Sequence, residues 1–313
     1  MMNRSVHTLW VIVLVALLAA CSSATTDQVI EDEPITVSTG SNPIVIGDVS
    51  SLVDETTAFY QPLANYMAEN LADQGITNGL VRVAPNLETM AQWLAEGEVD
   101  VYIDSLYPSV FVSQASESQL VLRHWRSFVE EYHSVFFVLN DSEITTLDDL
   151  QGNIVAFDKV GSTSGWFLPT TYLIENGYNP IEVTDVNTSL SNEVGYIFAD
   201  DDVNILNWVI TGRVQAGVTN DIVFNDLSDD VQAGLRIIAE TETAPSQIVS
   251  LREGLTEDLQ RAIIAVMSNM ESNDEGLAVL QAIETTRFDA LPIDSETYTS
   301  QVLDKLSLVR GEQ

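Results

Sequence analysis

Lysine is nearly missing from this chain. Only Lys159 and Lys305 occur in 313 residues, and 12 lysines and arginines stand against 47 aspartates and glutamates. A nucleic-acid binder must neutralise phosphates with a basic face, so that class is excluded. Docking on anionic lipid headgroups is excluded for the same reason. Cysteine occurs once, at Cys21, so no intrachain disulfide can form. Beyond the first twenty residues the only histidines are His124 and His133. Neither stands in HxxxH or HExxH spacing, and metal centres need clustered ligands. His133 and Ser134 are neighbours, and neighbouring side chains on a strand point to opposite faces, so they form no dyad. There is no Gly-x-Ser-x-Gly elbow and no Walker loop. With 47 carboxylates, abundance alone explains any acid–base pair, so an enzyme is not supported and no cofactor is expected. No period of 20–50 residues recurs, which removes solenoids and propellers.

What is present is acid, at a formal net charge of −35. Such a surface fits a saline habitat, where salt screens self-repulsion, and equally fits ordinary solubility charge. The N-terminus reads as a processing signal. Arg4 supplies the positive start, and Leu9–Ala20 is apolar but too short to span as a mature helix. Leu18-Ala19-Ala20-Cys21 resembles a bacterial lipobox. That implies removal of residues 1–20, lipidation of Cys21, and an exported protein on the outer face of the cell membrane or in the periplasm. Two acyl chains anchor stably where one is marginal. Residues 21–42 are rich in Ser, Thr, Asp and Glu without apolar periodicity, and predict a flexible tether.

From residue 43 the hydrophobic pattern alternates strand and helix. Ile44–Ile46 is a short apolar strand, and Phe59, Leu63, Tyr66, Met67 and Leu71 have helical spacing. Leu80–Ala84 predicts a strand, Leu87–Ala95 a helix closed by Gly97, and Val99–Ile103 a strand. Asp104-Ser105-Leu106-Tyr107-Pro108 then opens a helix, and Leu120–Trp125 and Tyr132–Leu139 predict strands. The alternation restarts at Ile154–Phe157, followed by a helix over Gly165–Asn176, a strand around Ile181–Val186, a helix Val203–Thr211 and a strand Ala216–Thr219. Leu235–Ala239 and Gln247–Leu251 predict strands, and two helices, Glu257–Met270 and Asp274–Thr285, finish the chain. This pattern predicts an α/β fold of two lobes, each a mostly parallel sheet flanked by helices. The lobes are expected over residues 43–135 and 136–240, with 241–313 returning to the first. Strands near 134–139 and 235–250 are the expected crossovers. Ligands in such sheets bind at loops beyond the strand C-termini, here in the cleft between lobes.

One stretch organises the second lobe. Ile154–Phe157 is followed by Gly161-Ser162-Thr163-Ser164-Gly165 and a helix. A strand, a hydroxyl-rich loop and a helix N-terminus make an anion site, because the first helical N–H groups lack internal partners and the dipole favours negative charge. An N-capped helix in any α/β protein would read the same way.

Several motifs together carry a resemblance. They are Tyr132-His133-Ser134-Val135-Phe136-Phe137-Val138, Leu147-Asp148-Asp149-Leu150-Gln151-Gly152, Ala156-Phe157, and Gly161-Ser162-Thr163-Ser164-Gly165 with Leu168-Pro169. Gly97-Glu98-Val99-Asp100, Gly212-Arg213-Val214-Gln215-Ala216-Gly217 and Pro245-Ser246-Gln247-Ile248-Val249 match more weakly. The chain resembles the periplasmic phosphonate/phosphite/phosphate-binding proteins of ABC importers over about residues 43–270. The resemblance implies a type II two-lobed protein that closes on its ligand, works as a monomer and docks on an ABC permease. A sensor of the same fold and a repurposed lipoprotein are the rival readings.

It also implies that Ser162, Thr163 and Ser164 hold the oxyanion. The family's anion-contacting histidine falls on Asp202, and its first-lobe aromatic falls on Asp104 or Tyr107. A carboxylate at these places would repel a dianion. A zwitterion such as an aminoalkylphosphonate fits better, with Asp104 or Asp202 on the ammonium and Tyr107 or Trp166 beside it.

Overall fold

The computed structural model describes residues 42–311. The signal segment, Cys21 and the tether up to residue 41 lie outside the described residues.

The first lobe opens with β1 (Pro43–Val49), α1 (Val53–Asn70), β2 (Asn78–Ala84), α2 (Leu87–Glu96), β3 (Val101–Asp104), α3 (Leu106–Ser116) and β4 (Gln119–Arg126). Residues along β1 alternate between two cores. Ile44 and Ile46 join Leu63 and Met67 of α1, while Val45 joins Met90 and Leu94 of α2. A strand covered on both faces must be apolar throughout, which is why Ile44–Ile46 stood out in the sequence. The chain then passes through β5 (Glu131–Tyr132) into β6 (Ser134–Leu139), β7 (Ile154–Phe157), α4 (Leu168–Glu175), β8 (Pro180–Glu182), β9 (Val194–Phe198), α5 (Asp202–Ile210) and β10 (Ala216–Asn220). Short helices α6 (Asp221–Asn225) and α7 (Asp229–Ala233) precede β11 (Leu235–Glu240). In the second lobe Val155 and Phe157 pack with Leu168 and Leu173, and Ile154 and Ala156 with Ile205 and Val209. The return runs through β12 (Ala244–Pro245), β13 (Gln247–Leu251), α8 (Glu257–Ser268), α9 (Asp274–Ala282), β14 (Thr285–Ala290) and α10 (Ser295–Arg310).

The expected two-sheet α/β architecture is present. The sheets are mixed rather than mostly parallel. The first has order β14-β4-β13-β3-β1-β2, with only β3-β1-β2 parallel. The second has order β11-β6-β10-β7-β9-β8, parallel from β10 to β8. One crossover differs from expectation. Val135–Val138 is buried on both faces of the second sheet, so it is not the link. The link is the two-residue pair β5–β12, with Tyr132 opposite Ala244, and β12 lies within the expected 235–250. The expected single strand Tyr132–Leu139 breaks at His133, whose N–H donates to Asp221 Oδ1 at 3.0 Å. Strand β9 was not expected, nor were β14 and α10 after the last expected helix.

Helix α10 packs on α3 of the first lobe and α4 of the second. Its Tyr298, Val302 and Leu306 share one apolar cluster with Leu106 and Tyr107 on one side and Phe167 and Leu168 on the other. Lys305 bonds to Glu175 of α4 at 3.0 Å and also to Glu242. At the first sheet's edge, the Arg123 guanidinium on β4 makes a two-pronged pair with Asp289 of β14, at 2.9 and 2.7 Å. The Arg123 side chain is 7% exposed and that of Asp289 30%. Removing one member of a buried pair strands the other. Arg123→Ala should cost about 3 kcal/mol, the low end for such pairs because Asp289 keeps some water. For a body of this size that is a fall of roughly 6–12 °C in Tm by calorimetry. An unchanged Tm would show that β14 is held without this pair.

Candidate functional site

The loops after β1, β3 and β7 meet where the two lobes face one another. β7 ends at Phe157, and the chain turns at Gly161, whose φ of +89° favours glycine. Ser162 Oγ then accepts from Gly165 N at 3.0 Å. The turn Thr163–Phe167 is wider than an α-helix. Phe167 N donates to Ser162 O and Leu168 N to Thr163 O, each five residues back, before α4 takes over. The expected helix start at Gly165 is therefore the middle of a π-type turn. Gly165 has no room for a side chain, because a Cβ there would meet Asp158 Cβ at 2.3 Å.

Thr163 is fully buried and clasps the lobes together. Its hydroxyl accepts from Tyr107 N at 3.0 Å and donates to Ser105 Oγ at 2.9 Å. The buried Tyr132 hydroxyl reaches the same pair. Beside the clasp, Tyr107 packs edge-on to Trp166, with ring centroids 5.3 Å apart, and against Phe167 at 5.1 Å.

A cavity of about 550 Å³ lies next to the clasp, between the lobes. Asp104, Ser105 and Tyr107 line it from the first lobe, and Lys159, Gly161 and Ser162 from the second. Val49, Leu87, Phe111 and Val160 make its apolar walls. Its two sides differ in charge. On one, Asp104 ends β3 and accepts from Tyr102 Oη at 2.7 Å and Ser105 N at 2.6 Å. Burial raises the Asp104 carboxyl, and these bonds and the Lys159 charge oppose the rise. On the other side stand Lys159 and Ser162. Behind them burial raises Asp158 to about 6, opposed by its bond to Ser162 and by Lys159. At the end of β1, burial and then the Asp104 charge push Asp48 up to about 7. Among the described residues no cluster of His, Cys, Asp and Glu could hold a metal ion.

The residues expected to bind ligand are thus only partly brought together. Ser162, Asp104 and Tyr107 line one cavity. The other two serine–threonine hydroxyls do not. That of Thr163 is committed to the first lobe, which corrects the expectation that it faces a ligand. Ser164 is half-buried and its carbonyl accepts from Ser134 Oγ at 2.7 Å. Asp202 is also displaced from its expected place. Its Oδ1 accepts from Thr219 Oγ1, and it borders a separate small apolar cavity with Phe137 and Leu206. The helix cap there is Asp201, which accepts from Asn204 N. Asp48, Asp158 and Lys159 were given no role from sequence. Each stands at or just past the C-terminal end of a parallel strand, and that position was the available signal.

Residues 50–298 match the family model described as ABC transporter, phosphonate, periplasmic substrate-binding protein. Among solved structures, the Xanthomonas citri protein XAC2383 bound to ATP superposes with a TM-score of 0.79 at 22% identity, covering 86% of this chain and 98% of that one. A binding component of an ABC phosphonate transporter from Pseudomonas aeruginosa gives 0.61 at 17% identity, over 87% and 90%. PhnD1 from Prochlorococcus marinus in complex with methylphosphonate gives 0.61 at 15%, over 86% and 98%. At these identities the structural likeness shows the fold. No curated protein sequence matches the chain.

Two measurements test the site's geometry and charge. Asp48 rises from its ordinary 3.8 to about 7, so the folded state holds its proton more tightly than the unfolded state. Its charge opposes folding, with no penalty below pH 4 and a growing one as pH climbs to 7. Asp48→Asn should therefore melt above the parent at pH 8, with the difference closing near pH 4. A variant less stable at pH 8 would show that the charged form is favoured. Gly165→Ala should lower Tm and displace Asp158, because the obstructing atom is a Cβ with no freedom to swing away. An unperturbed variant structure would remove the close-approach argument.

Proposed function

We propose that this chain, which belongs to the phosphonate periplasmic substrate-binding family of ABC transporters, captures a small zwitterion such as an aminoalkylphosphonate between its lobes. Proteins of this family bind a small ligand outside the cytoplasm and deliver it to a membrane permease; they are transport components rather than enzymes. The opposed charge of the cavity carries the reading. Lys159 offers a cation to phosphonate oxygens, and Asp104 across the cavity accepts from an ammonium. The carbon chain between those ends lies along Val49, Leu87 and Phe111. The structural neighbour PhnD1 holds methylphosphonate, which supports the anionic half. XAC2383 holds ATP. A triphosphate here would sit beside Glu88 and Asp104 with Lys159 as its near cation, a balance that favours a smaller charge. Lipidation at Cys21 would tether a monomer to the membrane, within reach of its permease.

Calorimetric titration with methylphosphonate, 2-aminoethylphosphonate and ATP tests the proposal. 2-Aminoethylphosphonate should bind tightest. Asp104→Asn should weaken it by roughly 10–100-fold, the worth of a charge-assisted bond, while changing methylphosphonate little. ATP binding in preference to both phosphonates would sink the zwitterion reading. Equal loss for both phosphonates in the variant would take Asp104 off the ammonium.

A further inference from the structure

A second cavity, of about 250 Å³, opens on the first lobe, lined by Asp48, Thr56, Phe59, Tyr60, Arg126 and Gln247 among others. Arg126 is held firmly there. Its Cζ lies 4.1 Å from the Phe59 ring centroid, and its Nη2 lies 3.7 Å from Glu284 Oε2. Its Nη1 is buried and has no hydrogen-bond partner. A guanidinium N–H taken out of water without an acceptor is uncommon and costly, so it calls for one. The nearby carboxylates are otherwise placed, so a ligand oxygen can supply the acceptor. Glu284 stands at the other nitrogen, and the Asp48 carboxyl bonds the Tyr60 hydroxyl. Gln247 Oε1, which lines the same cavity, is likewise buried without a hydrogen-bond partner, so the cavity holds an open acceptor as well as an open donor.

We infer that this cavity is a recognition subsite for an α-amino-acid head group. The ligand carboxylate accepts from Arg126 Nη1, and the ammonium on the same carbon donates to Asp48. Each rival class meets an opposing charge. A plain anion meets Asp48 and the rim carboxylate Glu55, and a plain cation meets Arg126. A head carrying both charges on adjacent atoms answers both. Asp48 lines this cavity and feels the charge of Asp104, which lines the interlobe one. One ligand can span them, with an ammonium between Asp104 and Asp48, a carboxylate on Arg126 and a phosphonate at Lys159. This rests on the function proposed above and narrows its substrate class to carboxylated aminophosphonates.

The test is titration calorimetry on the full protein with 2-aminoethylphosphonate, 2-amino-3-phosphonopropanoate and alanine, for the parent, Arg126→Gln and Arg126→Lys. In the parent, the carboxylated phosphonate should bind at least about ten-fold tighter than 2-aminoethylphosphonate. Arg126→Gln should abolish that advantage and leave 2-aminoethylphosphonate unchanged. Arg126→Lys should keep part of it. Equal affinity of the two phosphonates in the parent, or an advantage that survives Arg126→Gln, overturns the subsite and leaves the proposed function standing. Alanine binding that depends on Arg126, with no binding of either phosphonate, upholds the subsite and sinks the phosphonate reading. Silence from all three overturns both. Should Arg126→Gln fail to fold by circular dichroism, the parent comparison and the lysine variant decide.

Discussion

A single buried hydroxyl sets the spacing of the two lobes. Thr163 receives the N–H at the start of α3 and gives its own proton to Ser105, so one side chain of the second lobe is tied to both backbone and side chain at the first turn of that helix. Because Thr163 is buried, neither bond can be exchanged for water without leaving an unpaired group. The Tyr107, Trp166 and Phe167 rings close around the clasp and keep it dry. The cavity beside it inherits its width from this contact, since Asp104 and Ser105 lead into α3 while Lys159–Ser162 lead into the Thr163 turn. Lobe geometry and ligand geometry therefore rest on the same few atoms.

Charge is distributed with similar economy. The chain is overwhelmingly acidic, yet both of its lysines stand at the seam between lobes. Lys159 borders the cavity, and Lys305 on α10 joins Glu175 of the second lobe to Glu242 beside the crossover. The site is not basic in spite of the anion-binding loop at its edge. Burial raises the carboxyls in and behind it, and Lys159 is the cation that lines it.

How much of this was legible in the sequence depended on which part of the chain is local. The strands buried on both faces, such as Ile44–Ile46 and Ile154–Phe157, announced themselves as short apolar runs, and the loop after β7 by its glycines and hydroxyls. Asp104, Tyr107 and Ser162, which line the cavity, stand at the end of β3 or in the segments that follow β3 and β7. Thr163 was assigned to a ligand because its partners, Ser105 and Tyr107, lie far away in the chain. Asp202 was placed by counting from Gly212, which carries no information on where its side chain points, and it bonds Thr219. The first crossover was placed on β6 rather than β5 because a two-residue strand leaves no periodicity. Helix α10 carries only Tyr298, Val302 and Leu306 as its buried stripe, and each is spaced four apart in a polar segment.

The strand order of the first sheet also constrains how the molecule can be made. Strand β13 lies between β3 and β4, so these neighbours in the chain are not neighbours in the sheet. Until the polypeptide has run from Arg126 through to Gln247, the first lobe holds two half-sheets with bare edges that cannot close on each other. The second sheet is drawn wholly from β6 to β11 and can form in one uninterrupted stretch. An emerging chain thus completes its later lobe before its earlier one, and the N-terminal half must be kept from pairing with strangers while it waits.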